Sequence, residues 1–222
     1  MALLGKDLAV ASVGISCQTA FQIEANRSLI AKLSGATLEH HATPFDSIYC
    51  SARSAAVMIH DGVYYPTDAG ELTGNKKPFW TSRGVYFWHS KFDDFAKFTS
   101  RGAHLDESWA RIRDAQRRIF IVANTQNNIV RSLIEADRAP IECRLVWKDV
   151  FRLFGVLARR FGQVELHVVA RPEGFDKLLS TDVLMPWQDG RAPITLHKHP
   201  KDASQWAGDV RNWGELFKRI IP

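Results

Sequence analysis

The chain has 222 residues, of which 45% are hydrophobic and 24% are charged, with 14 glycines, 9 prolines and 3 cysteines. This composition is typical of a globular protein and excludes the collagen-like, coiled-coil and disordered classes. No run of about 18 apolar residues occurs, so neither a transmembrane helix nor a membrane partner is expected. Lys6 precedes only a short apolar stretch, which is not the order found in a secretory signal.

The net charge of +5 results from 29 basic and 24 acidic side chains. The basic residues are scattered along the chain. The densest group, from Arg111 to Arg118, also contains Asp114, and elsewhere only pairs such as Lys76 and Lys77 occur. Zinc-finger spacing, an RNA-binding aromatic signature and long basic runs are all absent from the sequence. We therefore expect a solvated mixed-charge surface and no nucleic-acid partner.

The first predicted elements are a strand, a tight turn and a helix. Residues 8–13 form a short apolar run that is typical of a buried strand, and the run ends at Gly14. Ser16 is a suitable N-cap for a helix whose apolar positions continue at helical spacing to Leu33. Gly35 is a suitable residue to end that helix.

Strands and helices alternate along the rest of the chain. Polar residues punctuated by glycine and proline predict an irregular insertion at about 61–82. Outside it, the sequence predicts helices at 51–60, 104–117, 127–136 and 148–161 and strands at 85–88, 118–123, 164–170 and 194–197. This alternation predicts an α/β fold with a mostly parallel central sheet and helices on both faces, as a single domain over residues 1–222.

The cysteines, Cys17, Cys50 and Cys143, are odd in number and form no paired metal-binding motif. They predict neither a disulfide framework nor a zinc site, and a reducing, cytoplasmic compartment is expected. Neither Cys50 nor Cys143 follows a strand and a glycine turn, so structural roles are expected for both.

Cys17 differs from the other two because it follows the predicted strand and glycine turn and lies at the start of the helix. At such a position, backbone N–H groups and the positive end of the helix dipole lower the pKa of a thiol and favour the nucleophilic thiolate. The same N–H groups can hold an oxyanion, and we assign the turn and oxyanion positions to Ser12, Gly14 and Gln18. The alternative is that Cys17 is a small buried hydrophobic residue.

A thiol nucleophile needs a base, and His89 is the best placed of the eight histidines. It ends a β-prone aromatic segment, and strand ends carry functional residues in α/β folds. His197 and His199, near the last predicted strand, are the alternative bases. Two histidines without a neighbouring cysteine or carboxylate pattern are weak support for a metal, so no metal site is predicted.

Three short motifs occur in a particular order. Ser12, Gly14 and Cys17 are followed by Pro44-Phe45-Asp46 and then by Trp88-His89. Together they resemble the DUF1796-type family of bacterial papain-like cysteine peptidases. The resemblance implies Cys17 as the nucleophile, His89 as the base and Asp46 as a third catalytic residue or a structural turn residue. Papain-like proteins pack the cysteine helix against an antiparallel sheet, whereas the alternation of elements favours the α/β fold, which we retain as the expectation.

Two functions are compatible with these residues. The first is a thiol-dependent, peptidase-like hydrolase or an acyl transferase, acting on a peptide, amide or ester substrate without a cofactor. The alternative is a non-catalytic α/β protein that binds a ligand such as a nucleotide sugar or a phosphate at the Gly14 turn. A lone glycine turn without a dinucleotide-binding or P-loop motif is weak support for that alternative.

Overall fold

The computed structural model describes residues 1–74, 78–89, 94–126, 144–179, 193–199 and 207–221. The predicted helix at 127–136 and the side chain of Cys143 lie outside these residues. The α-helices of the described residues are α1 (Cys17–Ala25), α2 (Arg27–Ser34), α3 (Ala52–Asp61), α4 (Phe95–Ala110), α5 (Trp147–Phe161), α6 (Pro172–Leu179) and α7 (Val210–Ile220). The strands are β1 (Ala2–Leu4), β2 (Leu8–Ser12), β3 (Glu39–His41), β4 (Tyr49–Cys50), β5 (Leu72–Thr73), β6 (Phe79–Trp80), β7 (Val85–Tyr86), β8 (Arg117–Asn124), β9 (Glu165–Ala170) and β10 (Ile194–Lys198).

The main sheet has six strands in the order β10-β9-β8-β2-β1-β3. Strands β2, β8, β9 and β10 run parallel, with Val10 opposite Ile119 and Phe120 opposite Leu166. Strand β1 pairs antiparallel with both β2 and β3. The chain is therefore an α/β protein with a mixed sheet that is parallel over most of its width.

Side chains alternate between the two faces of this sheet, and described helices cover both. Leu8 and Val10 of β2 pack in a core with apolar residues of α1, α2 and α7. Ala9 and Ala11, on the opposite face, pack in a second core with apolar residues of α3 and α5. Burial on both faces explains why β2 and β8 are continuous apolar runs rather than alternating ones.

Two helices differ from the sequence prediction. The helix predicted to reach Leu33 is divided at Asn26, whose φ of −101° and ψ of 12° end α1 and begin α2. The helix predicted at 104–117 begins earlier, because the Asp94 side chain accepts hydrogen bonds from the N–H groups of Ala96 and Lys97. It ends at Ala110 and is followed by a 3₁₀ turn before β8. The helical spacing of apolar residues did not reveal either cap.

A second sheet, of four short strands in the order β4-β7-β6-β5, is antiparallel. Strands β5 and β6 lie within the segment that we predicted to be an irregular polar insertion, and Phe79 and Trp80 of β6 are buried there. Strand β7 pairs with β4, with Val85 opposite Cys50. His89 follows β7 and is positioned by this small sheet rather than by the main one.

Helix lengths and apolar content bear on membrane insertion. In the parts of the chain that the structure describes, no helix combines the length and the apolar character needed to cross a bilayer.

Candidate active site

The turn after β2 has an unusual backbone conformation. Gly14 has a φ of +74° and the next residue, Ile15, has a φ of +41°. A β-branched residue at positive φ is strained, and it persists only where its surroundings hold it. The N–H of Cys50 donates to the Ile15 carbonyl at 3.2 Å, and Ile15 is fully buried. The turn is thus held by β4 of the second sheet.

Glycine is required at position 14 for reasons of space as well as conformation. A Cβ atom added there would lie 3.1 Å from Cys50 Sγ and 3.4 Å from the Ala55 side chain. Ser12, Gly14 and Gln18, which the sequence assigned to the turn and oxyanion positions, are all buried. The backbone N–H of Gln18 donates a hydrogen bond to the Ser16 hydroxyl at 3.4 Å, so Ser16 is the N-cap of α1 as predicted.

Cys17 is the first residue of α1, and the structure brings it together with His89. Its Sγ lies 3.3 Å from His89 Nε2, although the two residues are 72 positions apart in the sequence. The Cys17 residue is 6% exposed, whereas His89 is exposed. A thiol and an imidazole at this distance can exchange a proton directly.

The environment of the thiol differs from the expected one. Burial raises the pKa of Cys17, and hydrogen bonds from the Tyr49 phenol and from its own backbone N–H lower it by smaller amounts. The expectation that a helix start would yield a low-pKa thiolate is therefore not met, because desolvation is the largest effect at this residue. Burial therefore favours the neutral thiol form of Cys17.

Tyr49 is a residue of the site that the sequence did not single out. It is buried, its hydroxyl hydrogen-bonds Cys17, and it accepts a hydrogen bond from Gln126 Nε2 at 3.2 Å. Its ring contacts Trp88 edge-on, with 5.7 Å between ring centroids, and Trp88 directly precedes His89. Tyr49 therefore contacts both Cys17 and the segment that carries His89. Nothing in the local sequence pattern indicates this position.

A cleft of 340 Å³ opens beside the thiol and the imidazole. Ala20 and Phe21 of α1 form its apolar side, and Phe21 is 40% exposed. Phe21 is four residues after Cys17, so both side chains project from neighbouring positions on the same helix surface. Helical spacing would have been sufficient to find Phe21 from the sequence. The full lining is Met1, Cys17, Ala20, Phe21, His40, Asp46, Ser47 and His89.

Asp46 lies at the cleft, but its contacts are those of a turn residue. One carboxylate oxygen accepts from the Thr43 N–H at 2.8 Å and the other from the Thr43 hydroxyl at 2.6 Å. The carboxylate also forms an ion pair with the α-amino group of Met1. Of the two roles left open for Asp46, these contacts favour the structural one.

The alternative bases, His197 and His199, are not among the described residues that line the cleft beside Cys17. His197 Nε2 is 2.8 Å from His167 Nδ1, on the neighbouring strand β9. His199 is fully buried, and its ring contacts Trp213 with 5.2 Å between centroids. Among the described residues, no group of three or more His, Cys, Asp or Glu side chains is arranged to hold a metal ion.

The site occupies a position at which open α/β sheets commonly bind ligands. Cys17 follows the carboxyl end of β2, and Gln126, two residues past the end of β8, donates to Tyr49. Strands β2 and β8 are neighbours, while α1 and α5, the next described helices after them, pack on opposite faces. The carboxyl ends of neighbouring parallel strands are where open α/β sheets commonly bind ligands.

Comparisons of the chain with family models, with curated proteins and with solved structures find no match.

Proposed function

We propose that this protein is a cysteine-dependent hydrolase or acyl transferase in which Cys17 is the nucleophile and His89 is the general base. One observation carries the proposal: the 3.3 Å contact between Cys17 Sγ and His89 Nε2. A buried free cysteine is usually a packing residue. A cysteine that contacts an exposed imidazole at a cleft is also suited to nucleophilic attack. Its proton has an acceptor, and its sulfur borders a space that a substrate can enter.

The first step is attack of the Cys17 sulfur on a carbonyl carbon. As the S–C bond forms, the thiol proton passes to His89 Nε2, because the raised pKa of the buried thiol leaves little thiolate at rest. The carbonyl π electrons move to oxygen and form a tetrahedral oxyanion. The N-terminal end of α1 lies beside this reaction, and its partial positive charge stabilises the negative oxygen.

The second step breaks the bond to the leaving group. The His89 imidazolium returns its proton to the departing nitrogen or oxygen, and an acyl group remains on Cys17 as a thioester. Water then attacks the thioester in a hydrolase, and an amine or alcohol attacks it in an acyl transferase. In both cases His89 takes a proton from the attacking group. The C–S bond breaks as the second tetrahedral intermediate collapses, and His89 returns the proton to the Cys17 sulfur, which restores the thiol.

The Tyr49 hydroxyl has a supporting role in this scheme. Its hydrogen bond to Cys17 stabilises negative charge on the sulfur, and the Gln126 amide orients the phenol. Tyr49 acts as a positioning residue for the nucleophile. The resemblance of the Cys17, Asp46 and His89 motifs to papain-like cysteine peptidases agrees with a peptide, amide or ester substrate.

The proposal is tested with a small activated ester, p-nitrophenyl acetate, and with iodoacetamide followed by mass-spectrometric mapping of the modified cysteine. We expect ester hydrolysis by the wild-type chain and loss of hydrolysis in both Cys17→Ala and Cys17→Ser, with folding checked by circular dichroism. Cys143→Ala is the matched control and retains activity. Hydrolysis that survives in folded Cys17→Ser contradicts the proposal, as does its absence in the wild-type chain with esters, thioesters and peptides alike.

A further inference from the structure

A second cleft, of 620 Å³, opens at the carboxyl ends of β8 and β9. Asn124 and Ala170, the last residues of these strands, both line it. It shares no lining residue with the cleft beside Cys17. The carboxyl edge of a parallel sheet is the usual ligand-binding side of an α/β fold, so this cleft is placed where a ligand site is expected.

One side of the cleft is apolar and rigid. Val146 is 42% exposed, and it is one of the few large apolar side chains among the described residues to be so exposed. Trp147 lies next to it, and its indole N–H donates to the Leu178 carbonyl at 2.8 Å. Its ring also stacks on Phe151, with 5.5 Å between centroids. This side of the cleft therefore offers a preformed apolar surface to a flat organic group.

Four of the described lining residues are basic. Arg144 lies three residues before α5 and Lys148 in its first turn, whereas Arg171 directly precedes α6 and Lys177 lies in its last turn. Among the described lining residues, Glu173 is the single acidic one against these four basic side chains. These basic residues are scattered in the sequence, and folding collects them around one cavity.

The backbone adds to this positive field. Helices α5 and α6 both begin at the cleft, and the N-cap of α5, Val146, supplies no side-chain hydrogen bond. The partial positive charge of a helix start reinforces neighbouring basic side chains. The helix starts therefore add to the attraction that the basic side chains of the cavity exert on an anion.

We propose that this cleft is a binding site for an organic phosphate, a ligand with a flat apolar part and a multiply charged phosphate end. The Val146–Trp147 surface buries the apolar part, and the four basic side chains surround the phosphate. A multiply charged phosphate offers more acceptor oxygens to several basic side chains than a single carboxylate does. The site is independent of the chemistry proposed for Cys17.

Isothermal titration calorimetry of the full chain with three probes tests the proposal. ADP has both an aromatic group and a diphosphate, adenosine has only the aromatic group, and pyrophosphate has only the charge. We expect ADP to bind more tightly than either of the other two. We also expect its affinity to fall with rising salt concentration, because the phosphate contacts are ionic.

The double variant Lys148→Gln with Lys177→Gln removes two exposed charges from the cleft, and we expect it to raise the Kd for ADP roughly tenfold or more. The matched control, Lys32→Gln with Arg101→Gln, changes two exposed basic residues elsewhere and leaves the Kd unchanged. Cys17→Ala also leaves it unchanged, which separates this site from the proposed hydrolase. Undetectable ADP binding at millimolar concentration, equal affinity for adenosine, or an equal loss in the control overturns the proposal.

Discussion

The backbone N–H of Cys50 donates to the carbonyl of Ile15 at 3.2 Å, and this bond joins the two sheets of the molecule at the candidate site. Ile15 belongs to the turn that directs α1, whereas Cys50 pairs with Val85 in the small antiparallel sheet. His89 follows that sheet and Cys17 follows that turn. The contact between their side chains therefore depends on the docking of the small sheet against the turn, far from either residue in sequence.

The imidazole of His89 is the proposed general base for Cys17. We expect His89→Gln to lower kcat/KM for an activated ester roughly 100- to 10,000-fold, because general-base assistance is lost while the thiol remains. Stopped-flow or steady-state absorbance of released p-nitrophenol measures the effect. His104→Ala, which changes an exposed histidine on α4, is the control and leaves the rate unaltered. Equal rates in the two variants would exclude His89 as the base.

The hydroxyl of Tyr49 lowers the pKa of Cys17 against the opposing effect of burial. Removing it in Tyr49→Phe therefore raises the thiol pKa further. At a fixed pH below that pKa the thiolate fraction falls, so we expect slower alkylation of Cys17 and a pH–rate profile moved to higher pH. The rate of iodoacetamide labelling, followed by peptide mapping between pH 6 and 10, measures this shift. An unchanged or lower apparent pKa would show that the phenol does not stabilise the thiolate.

The Gly14 turn is predicted to be intolerant of a side chain. In Gly14→Ala the new Cβ meets Cys50 Sγ at 3.1 Å and the residue keeps a φ of +74°, so we expect the free energy of unfolding to fall by about 1–3 kcal/mol. Gly155→Ala is the matched control, because a Cβ there meets nothing within 4 Å and lies inside α5. We expect that variant to gain about 0.5–1 kcal/mol. Urea denaturation gives both values, and equal stabilities would contradict the packing at the turn.

The His167–His197 pair predicts a loss of stability in acid. Burial, together with the smaller effects of the neighbouring His167 and Arg219, lowers the pKa of His197 to about 3. Between its ordinary value of 6.5 and the native value, the unfolded chain binds a proton that the native protein does not. The contribution of His197 to stability is therefore complete above pH 6.5 and is lost as the pH falls toward 3.

His197→Gln tests this dependence, since an amide keeps a polar partner for His167 and does not titrate. We expect Tm to fall less steeply between pH 6.5 and 4 in the variant than in the wild type. The two proteins then differ in the pH dependence of the free energy of unfolding by up to about 1 kcal/mol per pH unit. Differential scanning calorimetry at several pH values measures the two slopes. Parallel slopes would mean that His197 is solvated or protonated in the native state.

Part of the fold follows from local sequence. The apolar run that ends at Gly14 and the N-cap Ser16 predicted β2 and the start of α1, and the strands predicted at 118–123, 164–170 and 194–197 correspond to β8, β9 and β10. In contrast, β1 has only three residues, and β3 is polar and exposed, so neither has a pattern that distinguishes it from a loop. These two strands make the sheet mixed, and only their pairing with β2 and with each other reveals them.

In the candidate site, too, some features follow from local sequence and others only from the tertiary structure. The sequence by itself determined that Cys17 starts a helix after a buried strand and that His89 ends an aromatic segment, because capping, turn and burial preferences act over a few neighbouring residues. Only the tertiary structure decided that the two side chains meet, that Tyr49 contacts Cys17 and the Trp88 ring, and that burial raises the pKa of the thiol. It also decided that scattered residues such as Lys148 and Lys177 surround one cleft. The physical reason is that contacts, desolvation and local charge density depend on which distant segments pack together, and local periodicity does not report that packing.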